Sequence, residues 1–247
     1  MTKASKAGYL PGDYGQKRMS AAAWADINIK KWNKAPEKKE PQGQLKNGIF
    51  PCVCFSRQIG VGALNIADLL AEKMPFRVVD REILELMAKE KDIATKAVEY
   101  FDEHYPGIMS ELFTMLISQK TFLKSDYARQ LAKTAIALAG EEPTIFVGRG
   151  IHLILPRDQV LAVRVIADKD YRISRLSKLL DISWEEAETR IKTMDKEQKA
   201  FFKTVYQKDD ASPDEFDLVI NLKHLKDTSR AMEIVACAYK QKFGSMV

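Results

Sequence analysis

Ile49-Phe-Pro-Cys-Val-Cys-Phe55, Ser56-Arg-Gln-Ile-Gly-Val-Gly62 and Ala63-Leu-Asn-Ile-Ala-Asp-Leu-Leu-Ala-Glu-Lys-Met74 follow one another without a break. The first is a short β-prone apolar run in which Cys52 and Cys54 alternate, as on a strand buried within a sheet. The second is a turn with two glycines, and the third repeats its apolar residues at helical spacing. Strand, glycine turn and helix in that order let the backbone curl so that amide protons, helped by the helix N-terminus, point at an anion.

The alternation continues downstream. Arg77-Val-Val-Asp80 reads as a second strand, followed by a helix over about 81–91. Residues 92–140 read as helical, broken near Pro106-Gly107. Pro143-Thr-Ile-Phe-Val147 is a third strand ending in Gly148-Arg-Gly150, Gln159–Ile166 a fourth and Asp217–Asn221 a fifth. Helices are expected at about 169–180, 183–206 and 227–243, and Ser183 with Glu186 has the spacing of a reciprocal capping box. Short buried strands alternating with helices predict an α/β fold with a parallel sheet covered on both faces.

Two units are expected: a basic, flexible or surface-docked extension over 1–48, and one domain over 49–247. Within the extension, Ala21–Trp32 can form a short helix with Trp24, Ile27 and Ile29 partly on one side. The chain of 247 residues has a net charge of +5; residues 1–48 carry ten basic and four acidic side chains (+6), the remainder 29 and 30 (−1). The excess belongs to the extension, so nucleic acid is not an expected partner beyond that arm. The longest uncharged apolar run, Ile49–Phe55, falls far short of the roughly 20 residues a membrane helix needs. Three cysteines make no disulfide scaffold, and the first residues have no apolar core of a secretion signal, so a cytoplasmic location is expected.

In an open parallel sheet, ligands bind at the carboxyl ends of the strands. Three of these ends are chemically specific: Ser56–Gly62, Asp80-Arg81-Glu82 and Gly148-Arg149-Gly150. Two arginines and a carboxylate at neighbouring strand ends suit a phosphate and a hydrated Mg²⁺. Farther on, Arg172 and Arg175 share a helix face, and Arg190, Lys192, Lys196, Lys199 and Lys203 follow with Asp195 among them. That segment fits either a solvated amphipathic pair or a lid whose cations close over transferring phosphates. His104, His152 and His224 show no paired ligand spacing, and His152 reads as a helix cap or a solvent-facing residue. Ser56 lacks the setting of a nucleophile, and Phe201, Phe202 and Tyr206 read as helix packing.

The motifs Ser56–Gly62 with Asn65-Ile-Ala67, Val79-Asp-Arg-Glu-Ile-Leu84, Ile145-Phe-Val-Gly-Arg-Gly-Ile151, Asp170-Tyr-Arg-Ile-Ser-Arg175, Asp195-Lys-Glu197 and Phe216–Asn221 resemble, in order and spacing, the cytidylate kinase-like family, a branch of the P-loop nucleoside monophosphate kinases. The resemblance implies a five-stranded parallel sheet of order 2-3-1-4-5 flanked by helices, with a helical lid over about 168–206. It implies transfer of the ATP γ-phosphoryl group to CMP or a similar nucleotide, with Mg²⁺. Ser56, Gly60, Val61, Gly62, Ala63 and Leu64 would then cradle the donor phosphates. Asp80 would hold the Mg²⁺ shell or the acceptor. Arg81 and Arg149, with Gly148 and Gly150, would grip the acceptor phosphate, and the helices of 92–140 would form the acceptor-side wall. Arg172 and Arg175 would supply lid charge, oriented by Asp195. A full P-loop ends in Gly-Lys-Ser/Thr, where this chain has Ala63 and Leu64. The family usually has an arginine where Leu64 stands, and another where Gln198 stands. Arg57, swinging onto the donor phosphates, or Lys199 would have to substitute. The alternative is a catalytically degenerate nucleotide-binding protein with a regulatory role.

Overall fold

The short apolar runs and helical periods become five strands joined by helices in a computed structural model that describes residues 19–33, 48–120, 125–209, 211–225 and 227–244. The strands are β1 (Cys52–Arg57), β2 (Arg77–Val79), β3 (Thr144–Val147), β4 (Val160–Ile166) and β5 (Leu218–Asn221). The helices are α1 (Ala21–Trp32), α2 (Ala63–Lys73), α3 (Arg81–Lys89), α4 (Lys91–His104), α5 (Ile108–Gln119), α6 (Asp126–Glu141), α7 (Ile151–Ile154), α8 (Lys169–Leu180), α9 (Trp184–Tyr206), α10 (Leu222–Leu225) and α11 (Thr228–Phe243). All strand pairs are parallel, in the order β2-β3-β1-β4-β5. β1 is central, with Cys54 beside Phe146 of β3 and Ala162 of β4.

Alternation along the strands divides the core. Cys52, Cys54, Phe146 and Ala162 pack with residues of α3, α4 and α6, whereas Val53, Phe55, Ile145 and Val163 pack with α2 and α11. The first layer is tight. A Cβ on Gly140 of α6 would collide with the Phe101 ring and stand 2.9 Å from the Gly48 carbonyl oxygen. A third, separate cluster of Ile173, Leu176, Ala187 and Ile191 belongs to α8 and α9 alone. The helical hairpin over the sheet therefore carries its own small core. Ser183 caps α9 by accepting from the Glu186 amide at 3.1 Å, but the Glu186 carboxylate turns to Arg190 at 2.7 Å instead of closing the expected box.

Helix α1 is docked on α3 and α4. Its buried positions are Ala25, Asn28 and Trp32; of the three residues expected partly on one side, Trp24 and Ile29 are half-buried and Ile27 is 53% exposed. Asn28 tolerates burial because its side-chain amide donates to the Trp24 carbonyl at 2.8 Å. Residues 1–18 and 34–47 of the 1–48 extension lie outside the described ones. Among the described residues no helix is long and apolar enough to cross a membrane.

His152 of α7 is neither a cap nor solvent-facing. It is buried, with its ring against Phe216 (centroids 4.8 Å apart). Its Nε2 lies 3.6 Å from the nearest Glu215 oxygen, beyond direct hydrogen bonding. Burial pushes the imidazole below its ordinary value; Glu215 opposes that, and Arg164 and Arg157 add to it. The folded protein thus binds this proton less well than the unfolded chain. Stability from neutral His152 is complete above the unfolded value of 6.5 and is lost as pH falls toward the depressed folded value. Melting temperatures measured from pH 7.5 down to about 5.5 should fall, and His152→Gln should flatten that decline.

Candidate active site

Three neighbouring strands deliver an arginine each to one point. β1 ends in Ser56 and Arg57, both buried. The Ser56 hydroxyl accepts from Arg164 Nη1 at 2.7 Å. The Arg57 guanidinium, although its residue is only 6% exposed, makes no hydrogen bond or ion pair among the described residues. β2 leads into Asp80, whose Oδ1 accepts from the Glu82 and Ile83 amides at 3.0 and 3.1 Å and so starts α3. That cap fixes Arg81 in the first turn, where its Nε donates to Glu85 at 2.6 Å.

β3 ends in three consecutive residues of left-handed backbone, Gly148 (φ 95°), Arg149 (φ 52°) and Gly150 (φ 69°). Only the middle one carries a side chain, and holding a non-glycine there is strained. Two contacts hold the turn. The Gly148 amide donates to the Phe55 carbonyl at 2.9 Å, and the Tyr206 hydroxyl donates to the Arg149 carbonyl. A Cβ on Gly150 would stand 2.6 Å from the Tyr206 ring. Arg149 consequently points inward, paired with Glu85 and 4.1 Å from the Phe201 ring centroid, and its buried Nε has no hydrogen-bond partner. Burial first, then the charges of Arg81 and Arg57, pull its guanidinium down to about 9. Three cations thus crowd one place with Glu85 as the carboxylate shared by two of them. The cavity between them is about 120 Å³, floored by Ser56, Arg57, Arg81, Gly148 and Arg149 and roofed by α9 through Glu197, Gln198, Phe201 and Phe202. A site with surplus buried positive charge and an unpartnered guanidinium suits an anion.

The glycine turn lies beside this cavity and does not line it. Gly60 (φ 79°) and Gly62 (φ 95°) shape it, and Gly62 starts α2 without a side-chain cap. The two lid arginines rest on it. Arg172 donates to both Asp195 oxygens (3.0 and 2.8 Å) and to the Ile59 carbonyl at 3.3 Å. Arg175 donates to the Gly60 carbonyl at 3.5 Å, and a Cβ on Gly62 would stand 2.8 Å from its Nε. Ala63 and Leu64 face the core against Val53 and Phe55, so neither reaches the loop's mouth.

The structure therefore sorts the expected residues into two adjoining groups. Arg57, Arg81, Arg149, Ser56 and Gly148 share the cavity; Arg172, Arg175 and Asp195 cover Gly60 and Gly62; Asp80 and Gly150 shape the backbone. Arg57 is placed with the other cavity arginines, not turned onto the glycine loop as expected. Phe201 and Phe202, read from sequence as packing, form the roof, and Glu85 was missed. The signal was present: Glu197, Gln198, Phe201 and Phe202 share one face of α9 at spacings of three and four. No described residue of 92–140 lines the cavity; Tyr127 reaches it only from behind Phe201 (ring centroids 6.1 Å apart).

The donors here do not make a protein-held Mg²⁺ site. Asp80 Oδ1 is engaged as a helix cap, the P-loop hydroxyl position is the buried Leu64, and the described residues contain no group of three Asp, Glu, His or Cys that could hold a metal. Mg²⁺ of this kind is held largely by nucleotide phosphates and water in any case. Removing the strut behind Arg149 gives a direct check. Tyr206→Phe should lower stability by about 1–3 kcal/mol through loss of a buried hydrogen bond, read by denaturant titration.

A parallel sheet of order 2-3-1-4-5, a glycine loop opening α2 and a separately cored helical hairpin above it define a P-loop kinase-type fold. The cytidylate kinase-like family profile matches residues 52–224, and the chain belongs to that family. An uncharacterized protein from Eubacterium ventriosum shares this fold at 21% identity, with 77% of this chain and 98% of that one aligned and a TM-score of 0.57. Shikimate kinase from Bacteroides thetaiotaomicron aligns at 13% identity, over 77% of this chain and 96% of that one, with a TM-score of 0.37. Dephospho-CoA kinase from Campylobacter jejuni aligns at 11% identity, over 79% and 98%, with a TM-score of 0.34. No curated protein matches the chain.

Proposed function

We propose that the protein is a phosphotransferase of the nucleoside monophosphate kinase type, passing the γ-phosphoryl group of ATP, which arrives with Mg²⁺, to a CMP-type acceptor. One observation carries this reading: Arg57, Arg81 and Arg149 converge on one cavity at the ends of three adjacent strands. The acceptor phosphate takes their charge. Arg172 and Arg175, now bonded to neutral loop carbonyls, turn to the donor phosphates, which are better partners for a guanidinium. Asp195 keeps Arg172 in place while this happens. Phosphoryl transfer depends chiefly on such positioning and charge stabilisation.

A second reading, binding without transfer, is favoured by the burial of Ala63 and Leu64 where a P-loop would offer its lysine and hydroxyl. The full chain with ATP, Mg²⁺ and each of CMP, dCMP and UMP separates the two. Turnover that disappears in Arg149→Ala and Arg172→Ala supports transfer. Thermal stabilisation by these nucleotides without turnover supports the second reading, since ligand bound only to the folded state raises its stability. Neither stabilisation nor turnover would refute both.

A further inference from the structure

Glu85 joins two of the three arginines and stands outside the cavity they line. Its place is set by α3: the Asp80 cap starts the helix, and Glu85 comes one turn after Arg81, so its carboxylate falls behind that guanidinium. The other arginine comes from a different element. Arg149 arrives from the left-handed turn after β3, the strand paired with β2. One largely buried carboxylate therefore ties the ends of two neighbouring strands together at their arginines.

The bonding pattern is specific. Arg81 donates through Nε at 2.6 Å and Arg149 pairs through Nη2, both on the same oxygen, Oε1. A two-pronged pair would engage both carboxylate oxygens with one guanidinium. Sharing one oxygen turns two guanidiniums toward the same place, while both still line the cavity. The buried Arg149 Nε is left without a hydrogen-bond partner.

Two consequences follow from this geometry. Long arginine stems are costly to order, so a site that holds them before the ligand arrives binds it more tightly. Glu85 also enters the charge balance: three guanidiniums less one carboxylate leave a surplus of two, close to the charge of a phosphate monoester at neutral pH. Glu197 on the roof is exposed, so water screens its charge. Holding and charge are separable, because an amide carbonyl oxygen accepts hydrogen bonds as a carboxylate oxygen does.

We infer that Glu85 is a positioning residue of the phosphate site: its Oε1 aims Arg81 and Arg149 into the cavity from behind, and its charge restrains anion affinity instead of supplying it. This rests on the phosphate-binding reading above and adds which residue prepares the site.

Inorganic phosphate, titrated into the full chain in a buffer without other oxyanions, is the probe. Glu85→Ala removes both oxygen and charge and should weaken phosphate about tenfold or more. Glu85→Gln keeps an oxygen at the same place and removes the charge, so it should bind phosphate about threefold more tightly than wild type or better. Both variants should melt lower than wild type without ligand, since two largely buried guanidiniums lose their counter-charge. A residue that only braced the fold would give affinities that follow the melting temperatures. Glu85→Gln binding phosphate more weakly than wild type, or Glu85→Ala binding it as tightly, would overturn the inference. If the alanine variant fails to fold, ¹⁵N-arginine spectra of the wild-type protein decide. The Arg81 Nε proton should stay protected from exchange at saturating phosphate; losing that protection would show that Glu85 surrenders the arginine instead of aiming it. Failure of the wild-type protein to bind phosphate at all would strike the phosphate-binding reading itself, and is distinguishable because it appears before any variant is compared.

Discussion

Arg57→Met should weaken the binding of inorganic phosphate and of CMP by about 100-fold, while raising the melting temperature of the protein without ligand. The two halves of this expectation have one cause. Arg57 is buried, has no hydrogen-bond or ion-pair partner among the described residues, and faces Arg81 and Arg149 across a small cavity. Its charge is one of the two that depress the Arg149 guanidinium. Without a bound anion this arrangement is unfavourable: a desolvated cation stands beside two like charges, and Glu85 pairs with those two and not with Arg57. An anion satisfies all three at once, so relief of their mutual repulsion adds to its affinity. Methionine keeps the unbranched stem and removes the charge, relieving the repulsion on Arg149 and with it part of the anion's attraction. Calorimetric titration and thermal melting of the same two proteins measure both halves. A variant that melts lower and binds phosphate as before would make Arg57 a structural residue and remove it from the site. Arg57→Lys should recover only part of the affinity, because an ammonium does not reproduce a two-pronged contact with phosphate oxygens.

That Arg57 would matter here was only half legible in the sequence. The strands were clear because each is a short apolar run closed by glycine, proline or charge; β2, β3, β4 and β5 each differ from the expected range by one residue at one end, whereas β1 starts three residues later than expected and runs two further, to Arg57. Their order across the sheet came from the resemblance of motifs, since periodicity says which residues are strands and not which strands are neighbours. Arg81 and Arg149 could be placed because a residue just past a parallel strand faces the ligand end. Arg57 is the last residue of its strand, and the side it faces is set by register against β3 and β4 and by where α9 falls, none of which is local. For the same reason Phe201 and Phe202 passed as packing: helical spacing identifies a shared face but not whether that face meets a core or roofs a cavity. His152 failed differently. It is a polar residue that the fold buries against an aromatic ring, where the sequence alone reads as a helix cap or a solvent-facing position.

The other large effect is expected from Glu141→Ala, far from phosphate chemistry. The Glu141 side chain, 5% exposed at the end of α6, is the hub that holds α1 to the domain. It accepts from Arg77 at 2.7 Å and from the Trp32 indole at 3.2 Å, and pairs with Lys31 at 2.6 Å. Burial pushes its carboxyl up, but Arg77 and Lys31 outweigh this and hold it below the ordinary range. Truncation takes the buried carboxylate from the Arg77 guanidinium, 9% exposed and already with an unbonded Nε, and leaves it the half-exposed Glu142 at 3.1 Å as its remaining counter-charge. Breaking a buried pair from one side costs about 3–5 kcal/mol when nothing replaces the partner; with Glu142 still beside Arg77 the loss should be about 2–3 kcal/mol, lowering the melting temperature by about 5–10 °C. Trp32 and Lys31 lose their anchor together, so cleavage by trypsin at Lys30 and Lys31 should accelerate before global unfolding. The pH dependence has a definite sign. A depressed carboxylate contributes stability that is present above its unfolded value of 4.5 and is lost as pH falls through the folded value, so Glu141→Gln should remove that acid limb. Because α1 packs on α3, which carries Arg81 and Glu85, releasing it also loosens one wall of the arginine cavity. Phosphate affinity should therefore fall modestly in Glu141→Ala, by far less than in Arg57→Met. An unchanged melting temperature with α1 still protected from trypsin would show that apolar contacts at Ala25 and Trp32 hold the helix without the charge network.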